Sequence, residues 1–234
     1  MLDDNAMESI AYSSSLLEVW RILSVPERAI LRAAAKVVKF SKNEVIYSVY
    51  EQPTHLMCLL KGSVKIYIDG IGGRSQIIRI IRPVQYFGYR ASFAVEAYRT
   101  SAAANAKSQV VMVPMKVVID LIRSNSNLAL SFIKMLSIDL GISDERIVSL
   151  TQKHIRGRLA ESLLFLRETH GLEEDGATLS IYLPREDLAS LSSMTASNAI
   201  RTLSNFVNEK LIAIDGRKIK IIDEEQLRRI SKLG

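Results

Sequence analysis

Two stretches of this sequence group side chains whose types and spacing could do chemistry, and in both the chemistry is binding, not bond-making. The first is FGYRASFAVEAYRTSAAAN, residues 87–105. Gly88 permits a turn and a close backbone approach, and Arg99 followed by Thr100 supplies a guanidinium fork and a hydroxyl. These donors suit a small oxyanion such as a phosphate, and Arg90 is a further cationic candidate. The second stretch is TASNAIR, residues 195–201. Thr195 is a good helix N-cap, and Ala196 and Ser197 keep the start of that helix small and polar. Asn198 and Arg201 match base edges in a major groove, amide to adenine N6 and N7, guanidinium to guanine O6 and N7.

Catalytic chemistry is poorly supplied. The chain of 234 residues has three histidines and one cysteine. Cys58 alone rules out a disulfide framework and a cysteine-ligated iron–sulfur cluster. His55 is the one imidazole between residues 37 and 115, so a barrel-type metal centre built from clustered His and Glu has no ligand set there. No metal site is expected. No nucleophile elbow, Walker loop or Cys–His pairing occurs either. The sequence does not read as an enzyme.

The elements that must position the two stretches follow from periodicity. Leu16, Leu17, Trp20, Ile22 and Leu23 fall at helical spacing, with Pro26 between short helices. From Val37 to Met115 short runs rich in Val, Ile and Tyr alternate apolar and polar residues, the pattern of half-buried antiparallel strands in a sandwich or barrel. LLKGSVKIYI predicts a hairpin with Gly62 in the turn, and DGIGGR closes another. The spacing then predicts a long helix. Along it Ile133, Leu136, Leu140, Ser143, Ile147, Leu150 and His154 fall at alternating steps of three and four, a heptad seam suited to pairing with a second copy.

A further helix is stopped by Gly171, and LEEDGATLSIYL reads as a polar loop leading into a short strand. Pro184 then opens the helix REDLASL, SSM is a turn, and Thr195 starts a second helix. Leu188, Leu191, Met194, Ala199, Ile200 and Leu203 can form the joint between them. LIAIDGRKIKII predicts two strands with Asp215-Gly216 in the turn. Helix, turn, helix and β-wing make a winged helix-turn-helix, whose second helix presents Thr195, Ala196, Ser197, Asn198 and Arg201 to DNA. Arg185 and Arg217, at the first helix start and the wing tip, are placed to meet phosphates.

The net charge of +6 does not carry this reading by itself. Residues 1–154 hold 19 Lys/Arg against 13 Asp/Glu, and residues 155–234 hold 12 of each. The longest apolar run, VVMVPMKVVIDLI, is interrupted by Pro114, Lys116 and Asp120, so no membrane span is expected. The N-terminus is acidic and lacks an export pattern, which predicts a cytoplasmic protein.

LLKGSVKIYI, GYRASFAVEAYRTSA, IRGRLAESLL and LPREDLASLSSMTASNAIRTL together resemble the cyclic-AMP receptor and fumarate-nitrate regulator (CRP/FNR) family of bacterial transcription factors. The resemblance implies an α+β protein in three parts. These are an N-terminal β-roll sensor domain with its helices at 1–126, a dimerisation helix at 127–154, and a winged helix-turn-helix DNA-binding domain at 155–234. It implies a homodimer on a palindromic operator in double-stranded DNA, with RNA polymerase as a further partner. It also makes Gly88 to Thr100 a phosphate-binding cassette, with Ser143 and Asp144 at the positions of the adenine-facing hydroxyl pair. Tyr89 departs from the pattern. Members that bind cyclic AMP carry a Glu there for the ribose, and a tyrosine adds bulk where the ribose would sit. Two readings stay open: the cassette takes a small anionic or nucleotide effector, with cyclic AMP disfavoured, or it now serves only to fold the loop. Ser197 departs too, replacing a Glu suited to cytosine. The same fold could instead serve as a cyclic-nucleotide sensor acting on a protein partner without DNA; the intact winged helix beside a damaged sugar contact weighs against it.

Arg201→Ala is expected to cost about 1–3 kcal/mol of operator affinity and to relax one base position. Binding to cognate and scrambled duplexes, measured side by side, checks this; unchanged discrimination would remove Arg201 from base reading.

Overall fold

The computed structural model describes residues 19–70 and 75–233. The helical spacing at Leu16 and Leu17 and the IGGR end of the second hairpin turn lie outside these residues. The chain divides into two units, residues 1–68 with 78–140, and residues 69–77 with 141–234.

In the first unit, helical residues 19–22 precede α1 (Val25–Ala34), and Pro26 sits in the first turn of α1, one residue past the junction. That position has no intrahelical N–H partner to lose. Eight strands follow: β1 (Lys36–Phe40), β2 (Val45–Tyr47), β3 (His55–Lys61), β4 (Val64–Asp69), β5 (Ser75–Ile81), β6 (Tyr86–Phe87), β7 (Ser101–Ala104) and β8 (Ser108–Pro114). They form two four-stranded sheets, ordered β1-β8-β3-β6 and β2-β7-β4-β5. The short helix α2 (Tyr89–Phe93) leaves β6, and α3 (Met115–Ser124) leads into the long α4 (Ser126–Gln152).

Strands β3 and β8 depart from the expected half-buried alternation. On β3, Met57 and Leu59 pack with Val64, Ile81, Phe87 and Ala102. The intervening Leu56 and Cys58 pack on the opposite face with Val118 and Leu121 of α3 and Leu128 and Phe132 of α4. Helices cover the outer face, so both sides of these strands are apolar, as in any sheet covered on two faces. Each such side chain contributes roughly 1.5–3 kcal/mol on burial. Cys58 lies within this packing, and burial raises its thiol pKa to about 12.

The second unit carries α5 (Ile155–His170), α6 (Arg185–Leu191), α7 (Ala196–Asn208), the hairpin β9 (Ile212–Asp215) with β10 (Lys218–Ile221), and α8 (Glu224–Leu233). Helix α8 goes beyond the elements expected from the sequence. Leu159, Leu163, Leu188, Leu203, Phe206 and Leu227 are fully buried here. The short strand expected within residues 172–183 is reduced to isolated bridges, Leu172 with Leu179 and Thr178 with Lys220. Asp175 closes that loop, accepting from the N–H of Ala177 and Thr178 and from the Thr178 hydroxyl. Those bonds hold its carboxyl well below the ordinary range.

Helix α4 ends at Gln152, two residues short of the expected limit at His154. His154 is the extended N-cap of α5, with φ −67° and ψ 163°, so the heptad seam does not reach it.

The hairpin expected around Gly62 does not form: β3 and β4 belong to different sheets, and Gly62 carries the chain from one to the other. It does so at φ +94°, and a Cβ there would lie 2.4 Å from the Lys107 carbonyl oxygen. Main chain cannot yield as a flexible side chain can. Gly62→Ala is therefore expected to destabilise the protein by about 2 kcal/mol or more, read as a lower denaturant midpoint at unchanged slope.

Candidate nucleic-acid interface and sensor loop

Helix α7 is held at its start as the sequence predicts. The Thr195 hydroxyl accepts from the Asn198 N–H at 3.3 Å and lies 3.2 Å from the Ser197 hydroxyl. Ala199, Thr202, Leu203 and Phe206 turn inward, which leaves Ser197, Arg201 and Ser204 exposed. Ile200 is also half exposed, at 50%, and is not part of the joint. It sits on the outward face between Ser197 and Ser204. Arg201 donates to the Asn198 side-chain oxygen at 3.0 Å, so the guanidinium is oriented by its neighbour one turn back.

Two arginines that the sequence reading missed brace the turn before α7. The last carbonyls of a helix have no intrahelical donors. At the end of α6, Arg146 donates to the Leu191 carbonyl at 2.9 Å. Arg158 donates to the Ser192 and Ser193 carbonyls, both at 3.2 Å, and to the Lys153 carbonyl at 2.9 Å. Lys153 and Ser149 in turn bond the Glu161 carboxylate. Arg146 stands in no quoted motif, and Arg158, although inside IRGRLAESLL, serves carbonyls that lie outside that stretch. Arg185 does not point freely outward as a phosphate contact would. It donates to the Gly216 carbonyl at 2.8 Å and fixes the wing turn against α6, and burial lowers its pKa. Arg217, the neighbour of Gly216, is exposed.

In the first unit, Gly88 has φ +82°, and a Cβ would lie 2.6 Å from the Met57 methyl. Helix α2 then ends in a complete Schellman motif, with Glu96 N–H to Ala91 O at 3.0 Å and Val95 N–H to Ser92 O at 3.2 Å. The left-handed position is Val95, at φ +54° and 92% exposed. A left-handed L-residue costs roughly 1–2 kcal/mol. The motif turns Glu96 back on the loop, where its carboxylate meets both arginines. Oε1 is 2.8 Å from Arg90 Nη2, and Oε2 is 2.9 Å from Arg99 Nη2. The Arg90 bond first, then that of Arg99, lowers the Glu96 pKa. Burial raises the Tyr47 phenol pKa, with the Thr100 side chain acting against it, and Tyr47 stacks on Tyr98 at 3.8 Å between centroids. Tyr98 donates to the Gly88 carbonyl at 3.2 Å. Glu96, Tyr47 and Tyr98 were not anticipated, although Glu96 and Tyr98 stand inside the motif.

Tyr89 packs away from the tyrosines beneath the loop. Its side chain, 4% exposed, lies in the helix-covered core with Leu56 and Phe132, not in the cluster that holds Tyr47, Ala91 and Tyr98. The ring meets Phe93 and Phe132 edge-on at 5.9 and 5.5 Å. Its hydroxyl is 3.5 Å from the Asp139 carboxylate, which Arg79 holds at 2.5 Å. Burial raises the Tyr89 pKa to about 12.

On α4, Ile133, Leu140 and Ile147 are exposed at steps of seven, with Leu150 beside them. Leu136 instead packs against the first unit's core. The sequence seam also missed Leu130, Ile138, Ile142 and Val148, all exposed. Ser143 and Asp144 are exposed on α4 in the second unit. Among the described residues no group of three His, Cys, Asp or Glu could hold a metal ion, and no helix is long and apolar enough to cross a membrane.

Two family models match, a cyclic nucleotide-binding domain over residues 37–125 and a Crp-like helix-turn-helix domain over residues 157–230. The CRP-like cAMP-activated global transcriptional regulator of Mycobacterium tuberculosis is 23% identical over 86% of this chain and 90% of its own length. The transcriptional regulator LdrP of Thermus thermophilus is 25% identical over 82% and 94%. Among solved structures, FixK2 from Bradyrhizobium japonicum aligns with a TM-score of 0.77 at 20% identity, covering 84% of this chain and 96% of FixK2. The c-di-GMP responsive regulator CLP of Xanthomonas campestris aligns at 0.74 and 14%, covering 85% and 99%.

The position of Tyr89 yields a paired expectation. Tyr89→Ala removes an aromatic contact from a closed core and is expected to cost about 3 kcal/mol or more. Tyr89→Phe loses only a long hydroxyl contact and is expected to cost less than about 1 kcal/mol. Denaturant unfolding of both variants checks this; equal losses would mean that the hydroxyl, not the ring, holds the site.

Proposed function

We propose that this chain, which belongs to the CRP/FNR family of DNA-binding transcription regulators, reads a palindromic operator through α7 and does so without cyclic AMP. The observation that carries the reading is the capped start of α7, with Arg201 exposed and oriented by Asn198. A guanidinium held in place loses less freedom on meeting guanine O6 and N7. Ser197 lies on the same face, and Arg217 at the wing turn is available to a phosphate. In a homodimer paired along α4, two copies of α7 would enter successive major grooves about 34 Å apart. Arg185 acts indirectly, by fixing the wing.

The sensor half supports independence from cyclic AMP. The two relatives named for an effector carry different ones, cyclic AMP in one and c-di-GMP in the other, so the family alone does not assign it. Here the position of the ribose-binding carboxylate is a tyrosine buried elsewhere. Family membership supports RNA polymerase as the further partner and the cytoplasm as the site of action.

Selection of binding sites from random duplex DNA with the purified protein, run with and without cyclic AMP, tests this. The expected result is one palindrome enriched equally in both. Enrichment only with cyclic AMP would refute the effector reading, and no enrichment in either would leave a sensor acting on a protein partner.

A further inference from the structure

The cassette loop presents an inconsistency for an anion site: its two arginines are already matched. Each oxygen of Glu96 serves one of them, Oε1 Arg90 and Oε2 Arg99, and Arg99 adds a second bond from Nε at 3.0 Å. The bridge is not a chance surface pair of flexible side chains. Glu96 is delivered by the Schellman motif that ends α2, whose left-handed position is a β-branched valine. The backbone therefore holds an unfavourable conformation at the residue that aims this carboxylate. Beneath the loop, the Tyr47–Tyr98 stack and the Tyr98 bond to Gly88 fix the loop's other end.

We infer that Glu96 is a built-in ligand of the sensor loop, an intramolecular carboxylate that bridges Arg90 and Arg99 in place of the phosphate of an effector. The inference rests on the reading of Gly88 to Thr100 as an anion cradle and extends it to the way the loop is regulated. An incoming phosphate must break both ion pairs and leave a carboxylate facing its own negative charge. Like charges at such distances oppose each other, so the loop stays closed on itself at ordinary anion concentrations. Take the carboxylate away and two guanidinium groups remain close together with one net charge more. A phosphate with oxygens to spare for both is the natural occupant.

The test is a titration of full-length protein with inorganic phosphate at low ionic strength, followed by calorimetry and by the arginine Nε–H resonances. Wild type is expected to show no saturable binding and no shift of the Arg90 or Arg99 signals. Glu96→Gln is expected to bind phosphate about tenfold tighter or more, and Glu96→Gln with Arg99→Gln to lose that gain. A Glu96→Gln variant no better than wild type overturns the inference. So does a wild type whose Arg99 signal moves with phosphate in the millimolar range, a result that needs no variant to fold. No DNA enters this titration, so failure of the operator selection and failure of this inference are separate outcomes.

Discussion

The outer face of the β1-β8-β3-β6 sheet must be covered, and much else in the first unit follows from that requirement. Leu56 and Cys58 on β3, with Val111 and Val113 on β8, would otherwise place a continuous apolar surface in water. Helices α3 and α4 supply the cover through Val118, Leu121, Leu128 and Phe132. Once Phe132 is fixed, Tyr89 and Phe93 have an aromatic partner on that side, and α2 is pinned by its own rings. The polar edge of the loop, where Glu96 bridges Arg90 and Arg99, is what stays outside that packing. A residue that looks in sequence like a damaged ligand contact is therefore part of the packing that orients the loop.

The second unit solves a different problem. A winged helix needs its reading helix held at a defined angle, and the turn before it is short and polar. Arg146 and Arg158 meet the unsatisfied carbonyls at residues 191–193. Because Arg158 also bonds the Lys153 carbonyl, the end of α4 and the turn before α7 share one guanidinium. Glu161 adds a second tie through Lys153 and Ser149. A rotation at the end of α4 cannot leave that turn where it was without breaking bonds to Arg158.

What could be read from sequence divides along physical lines. Local rules served where the cause is local: the Thr195 cap, the stop at Gly171 and the helix-turn-helix spacing. They put Gly62 and Gly216 in turns but missed the pairing around them, since β3 and β4 lie in different sheets and Asp215 pairs with Lys218, which leaves Gly216-Arg217 as the wing turn. They failed where the cause is tertiary. Periodicity places Leu136 on the seam and Ile200 in the joint, but it cannot tell which apolar face a neighbour covers. Arg146, Arg158 and Arg185 serve carbonyls far along the chain or in other elements, so no spacing reveals them. Glu96 is the instructive miss. It lies between the two arginines in sequence, yet its role depends on a left-handed Val95, a conformation that β-branched residues seldom adopt.

Regulators of this family dimerise, and the surface of α4 gives that fact a thermodynamic edge. Eight bulky apolar side chains from Leu130 to Leu150 are exposed on a single chain. Water is a poor surrounding for such a helix, and a second copy is a better one. Assembly then enters the folding equilibrium by mass action, so the thermal midpoint rises with protein concentration. Dilution alone acts on this helix as a mild denaturant, and the number of copies in a cell sets how much of the protein is paired.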